Sequence, residues 1–169
     1  MYTLLQANGK THESKVARNM NIPADSYVAI DLAYHDFTLY RFFKNNNIRF
    51  VTRAKSNAKY KVLKRNNVSA SSNIIRDEII EFTGYYSHKN YPYPLRLIHY
   101  FNIESNKTLV FLTNDFDNDA KTIADIYKTR KEIEIFFRTI NQNLKLKRFF
   151  GTTPNAVFPQ IWIAMIAYL

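Results

Sequence analysis

Cysteine is absent from the 169 residues. That excludes disulfides and thiolate metal sites and fits a reducing compartment. With only 3 glycines and 5 prolines, the chain is neither linker-rich nor disordered. No apolar run is long enough to span a bilayer, and the first residues lack the pattern of a signal peptide. The expectation is a cytoplasmic protein with no membrane partner. Acids are in the minority: 14 Asp and Glu stand against 24 Lys and Arg, a net charge of +10. A domain this basic favours a polyanion partner, most often nucleic acid, and the bland alternative is a merely soluble basic protein. The 4 histidines lack ligand spacing, so no zinc site is expected. No glycine-rich phosphate loop or Ser-His-Asp set is present.

What is there is apolar material for a packed core: 46% hydrophobic residues, with 13 Phe and 12 Tyr. The length suggests one domain, with a sizeable insertion. Residues 1–6 alternate like a strand and run into the Asn8-Gly9 turn signal. Thr11 can cap a helix to about Met20, which Pro23 stops. Residues 26–31 read as a buried strand ending in Asp31. A helix over 36–45 closes in the Asn45-Asn46-Asn47 run, and a second strand covers 48–52. Alternating runs at 78–83, 95–101 and 108–113, separated by turn residues, predict a β-rich antiparallel segment. Asp119 opens a long helix reaching about Lys145. After the break at 151–154, residues 156–169 are apolar and helical by pattern. The order is mixed α/β with an insertion.

On the long helix, Tyr127, Arg130, Glu134 and Asn141 share one narrow sector at about 100° per residue. The spacing puts Ile126, Ile133, Phe137, Ile140 and Leu144 in an apolar stripe about a right angle away, leaving Tyr127, Arg130 and Glu134 at its rim. A plain reading of Arg130 and Glu134 is a solvated i, i+4 pair. Asp31 adds weight, because an acid at the carboxyl end of a buried strand lies where α/β folds place ligands. Carboxylates are hard ligands suited to Mg²⁺ or Mn²⁺, which can clamp both oxygens of a phosphodiester exchange. Arg53, Lys55, Lys59, Lys61, Lys64 and Arg65, and later Lys145, Lys147 and Arg148, form two clusters that suit phosphates or a solvated face. Tyr85, Tyr86, Tyr91 and Tyr93 could stack on bases, although such residues more often pack a small sheet.

The combination resembles DDE transposases of the IS4 type, bacterial insertion-sequence enzymes with a β-rich insertion. Tyr127-x2-Arg130-x3-Glu134 matches the first three positions of the family signature Y-x2-R-x3-E-x6-K. Asp31-Leu32-Ala33-Tyr34 with Asp36-Phe37 is similar to its second-aspartate segment. Segments 9–12, 50–57, 83–86, 111–114 and 149–156 resemble the group in the same order. The resemblance implies an RNase H-like fold, N-terminally truncated, with a β-rich insertion before the last catalytic helix. It divides the chain into a partial RNase H-like core at 1–54, the insertion at 55–114, and the catalytic helix with its follower at 115–169.

The same resemblance implies metal-dependent DNA cleavage and strand transfer. Asp31 and Glu134 would be the second and third catalytic, metal-binding acids, holding Mg²⁺ or Mn²⁺ weakly. Tyr127, Arg130, Asn141, Arg53, Lys55, Lys145, Lys147 and Arg148 would contact DNA, both transposon ends and target. The signature's final Lys is Asn141, and Lys131 stands where the family commonly has Trp. The first catalytic Asp falls before Met1, so the expectation is a fragment with impaired activity in isolation. The partner would be a second copy or a full-length transposase, and the location the bacterial nucleoid region. The alternative is a non-catalytic DNA-binding or regulatory remnant that associates with full-length transposase.

Overall fold

A computed structural model describes residues 21–31, 36–69 and 73–143; in the last helix it describes the backbone throughout, but not the side chains of 131, 133, 134 and 136–143. The strand expected at 1–6, the helices expected at 11–20 and 156–169, and the basic residues Lys145, Lys147 and Arg148 lie outside the described residues. The chain divides into two compact units between Tyr127 and Lys128.

The first unit is built on a six-stranded mixed sheet. Its strands are β1 (Tyr27–Ile30), β2 (Arg49–Arg53), β3 (Tyr60–Arg65), β4 (Ile74–Phe82), β5 (Leu95–Asn102) and β6 (Lys107–Thr113). Their spatial order is β1-β2-β6-β5-β4-β3. β1 and β2 are parallel, joined through helix α1 (Phe37–Asn45), as a parallel pair requires a crossover. All other pairings are antiparallel. The β-rich segment therefore extends the same sheet. Its junction is the β2–β6 pair, continued by the Asn114 side chain: Oδ1 accepts from Phe50 N at 2.8 Å and Nδ2 donates to Ile48 O at 2.9 Å.

Local chemistry sets the element ends. The Asp36 carboxylate caps α1, accepting from Thr38 N at 2.8 Å. Asn47, with φ 53°, turns the chain out of the helix in the left-handed region that Asn tolerates. Asn106, φ 50°, does the same in the β5–β6 hairpin. Two segments were not expected. β3 is exposed at all six positions, so burial imposes no alternation to read. Helix α2 (Tyr85–Asn90) is only six residues long and is flanked by Gly84 and Pro92; those residues read as turn material.

The pleat divides the core in two. Phe50, Ile80, Leu95, Leu97 and Leu112 face α1 and meet its Leu39, Tyr40 and Phe43. Tyr40 stacks on Phe50 with centroids 4.6 Å apart. Val51, Ile98, Tyr100 and Phe111 project to the opposite face, where helix α3 (Ala120–Asn143) supplies Ile123, Ala124 and Tyr127. Each such side chain stabilises the fold by about 1.5–3 kcal/mol relative to exposure. Among the described residues, no helix is long and apolar enough to cross a membrane.

Candidate functional site

Asp31 lies directly after β1, half-buried at its carboxyl end. Val28 and Ile30 pack toward α1, while Ala29 packs with the α3-side cluster. Asp31 is the alternate position after Ala29, one residue past the end of the strand. The parallel register pairs Ile30 with Thr52, so the next positions along are Asp31 and Arg53. Arg53 belongs to the face of Val51, two residues beyond it. Its Nε is buried and has no hydrogen-bond partner among the described residues. A carboxylate and a guanidinium with a buried unpaired donor thus end two neighbouring parallel strands, the usual ligand end of an α/β sheet. Lys55, two residues on, is exposed.

The helix entry is strongly specified. Asp119 caps α3, accepting from Thr122 N at 2.9 Å and from the Thr122 hydroxyl. Those bonds hold its carboxyl below the ordinary carboxylate range. In the first unit the buried side of α3 is Ile123, Ala124 and Tyr127. The Tyr127 ring packs 4.9 Å from Phe111, centroid to centroid, and is 9% exposed. The helical spacing places Tyr127 at a rim, a right angle from the apolar stripe; instead it is part of the packed side, because the sheet offers Phe111 and Val51 opposite it. Ile126 is only partly buried.

In the second unit, Arg130 is half-buried while Thr129, Glu132 and Ile135 are exposed. The side chains of Glu134 and Asn141 lie outside the described residues. Among the described residues, no three His, Asp or Glu gather into a metal-holding group. The Asp31 carboxylate, in the first unit, has the oxygen chemistry that fits Mg²⁺ or Mn²⁺.

Lys61, Lys64 and Arg65 of the first basic cluster lie on β3, the edge strand of the sheet among the described residues. A bulge between Val62 and Lys64 shifts the register, so that Lys61 opposes Glu81 and Lys64 opposes Ile79, both on the α3-side face. Without the bulge, residues three apart would point to opposite faces. Lys61 pairs with Glu81 at 2.8 Å, and Arg65 with the buried Glu78 at 3.0 Å. Lys59 and Lys64 are exposed and have no ion-pair partner among the described residues. The four tyrosines divide by role. Tyr91 is buried against Tyr40 and Tyr93, and Lys44 lies 4.7 Å over the Tyr93 ring. Tyr85 and Tyr86 are 84% and 65% exposed on α2.

Sequence reasoning missed a buried polar group. Asp77 and Arg96, at 4% and 5% exposure, form a two-pronged ion pair: Nε to Oδ1 at 2.8 Å and Nη2 to Oδ2 at 2.7 Å. Nothing in a single sequence links two residues on different strands. The available signal was charge inside otherwise apolar strand runs, since such charges are buried only when paired.

The family model for the transposase DDE domain matches residues 2–169. The chain is 30% identical over 165 residues to the putative transposase y4zB of Sinorhizobium fredii (strain NBRC 101917 / NGR234), covering 95% of the chain and 46% of that protein. It is 30% identical over 168 residues to the probable transposase for insertion sequence element IS5377 of Geobacillus stearothermophilus, covering 98% and 44%. It is 31% identical over 166 residues to the putative transposase for insertion sequence element IS4SA of Synechocystis sp. (strain ATCC 27184 / PCC 6803 / Kazusa), covering 95% and 45%. The chain therefore spans less than half the length of each of these relatives.

Proposed function

The chain belongs to the transposase DDE domain family, and from that premise we propose that it supplies part of the catalytic domain of an insertion-sequence transposase, acting on DNA in metal-dependent phosphodiester cleavage and strand transfer. Membership implies an RNase H-like fold and a divalent metal. The finer reading is that β1, α1 and β2 belong to that fold, that β3 to β6 are the insertion, and that α3 is its last catalytic helix. Asp31 and Glu134 are the acids that hold the metal. When bound, Mg²⁺ or Mn²⁺ would activate the attacking oxygen and neutralise charge on the phosphate.

The remaining roles fall to side chains of this chain. Arg53, half-buried at the end of β2 beside the Asp31 strand end, binds a phosphate oxygen. Arg130 holds DNA near the cut, Tyr127 contributes only its hydroxyl because its ring packs on Phe111, and Asn141 adds a neutral contact on the same helix. Lys55, with Lys145, Lys147 and Arg148, neutralises backbone charge farther along. The observation that carries the reading is the half-buried Asp31 directly after β1, at the carboxyl end of that strand.

The test measures Mn²⁺ binding to the full chain by water-proton relaxation, for wild type, Asp31→Asn and Glu134→Gln. Each substitution is expected to lower affinity by about tenfold or more, as loss of a charged ligand does. Wild-type affinity in both variants would overturn the assignment. Salt-sensitive DNA binding without any Mn²⁺ binding would instead support a DNA-binding remnant.

A further inference from the structure

We propose that Arg96 is a positioning residue for helix α3: from β5 it sets the entry of the helix that bears Tyr127, Arg130 and Glu134. Two of its nitrogens bind Asp77, and Nη1 donates to the carbonyl of Asp115 at 3.4 Å and to that of Asn118. Asn118 directly precedes the Asp119 cap. The same segment is tied down from its other side. Asp115 Oδ1 accepts from Asp117 N at 2.9 Å and Asn118 N at 3.2 Å, and Asn118 Nδ2 reaches the Tyr27 hydroxyl at 2.9 Å. Residues 114–119 are thus clamped between β1 and β5, and Arg96 is the clamp on the β5 side.

The chemistry argues against a purely stabilising role. A buried ion pair replaced by apolar residues of similar size is often neutral or more stable, so stability alone does not explain its presence. A guanidinium has forked donors that can hold a carboxylate and two carbonyls at once; a lysine ammonium at this position can keep the Asp77 pair but does not span all three. The proposal's bearing on catalysis rests on the reading of Glu134 as a metal-binding acid.

The experiment compares wild type, Arg96→Lys and the double variant Asp77→Leu/Arg96→Met, all in the full chain. It reads amide hydrogen exchange, thermal midpoint and Mn²⁺ affinity by water-proton relaxation. Arg96→Lys is expected to hold the midpoint within a few degrees. The amides of Ile123 to Tyr127 are expected to exchange at least about tenfold faster relative to those of β4 and β5. Mn²⁺ affinity is expected to fall about tenfold, the usual effect of disturbing support behind a ligand. Exchange at Ile123 to Tyr127 that changes only in step with β4 and β5, in both variants, would overturn the proposal. If the double variant fails to fold, Arg96→Lys alone decides. If wild type binds no Mn²⁺, the metal reading fails, while the exchange comparison still decides whether Arg96 positions α3.

Discussion

Phe111→Ala tests the seating of α3 on the sheet most directly. The ring is fully buried between Val51, Ile98 and Ile123, with Tyr100 at 6.2 Å and Tyr127 at 4.9 Å. Truncating a buried Phe costs about 3–5 kcal/mol in lost transfer energy and residual cavity. About 0.5–1.5 kcal/mol of that is expected to be the ring pair with Tyr127. For a chain of this size about 2–4 °C is lost per kcal/mol, so the midpoint should fall by roughly 6–20 °C. Because a domain this size holds only about 5–15 kcal/mol in all, Phe111→Leu is the second variant, with an expected loss of about 1–2 kcal/mol. Urea unfolding followed by far-ultraviolet circular dichroism measures both. Phe116→Ala, at a ring 44% exposed, serves as the control and should stay within about 0.5 kcal/mol of wild type. A Phe111→Ala loss below about 1.5 kcal/mol, with an unchanged denaturant slope, would mean that the Phe111 side chain is not the keystone of this layer.

Three further outcomes are expected. Lys59→Gln with Lys64→Gln should weaken binding to a 30-base-pair duplex and reduce the salt slope by about two, since each phosphate contact contributes about 0.9; an unchanged slope would mark the β3 edge as a solvated face. Tyr85→Ala with Tyr86→Ala should leave urea stability within about 0.5 kcal/mol, while single-stranded DNA binding weakens by about 1–3 kcal/mol for each stacked base; unaltered binding would remove these rings from the interface. Burial, with Arg76 nearby, lowers the His99 pKa from its ordinary value, and its Nε2 is buried without a hydrogen-bond partner among the described residues. Protons then bind the unfolded chain more readily than the folded one, so His99 should leave stability intact above about pH 6.5 and erode it as the pH falls below that. His99→Gln should flatten the urea midpoint between pH 5 and 7, and a slope identical to wild type would refute this.

Periodicity read well wherever one face of a strand is buried. The edges of β1, α1, β2, β5, β6 and α3 fall within a few residues of the patterns at 26–31, 36–45, 48–52, 95–101, 108–113 and 119–145. β4 starts earlier than its pattern, at Ile74, because a register shift between Ile74 and Arg76 breaks the alternation. β3 stayed hidden for a different reason: it is held by pairing with β4 rather than by burial of its side chains. On α3, amphipathicity locates a helix but not the rotation at which it docks. Phe111 and Val51 set that rotation, and they bring Tyr127 under the sheet. At the candidate site, Asp31 was legible as an acid closing an apolar run. The Asp77–Arg96 pair was not, since its partners are brought together only by strand register.

The junction between β2 and β6 has a kinetic consequence. Val51 opposes Thr113, so closing that pair must wait on ordering most of the chain between them, whereas β5 and β6 meet across one tight turn. Loop closure is entropically harder at long separation, and local hairpins form first. The β3–β6 strands are therefore expected to pair before β2 joins β6, with the Asp31 strand following β2.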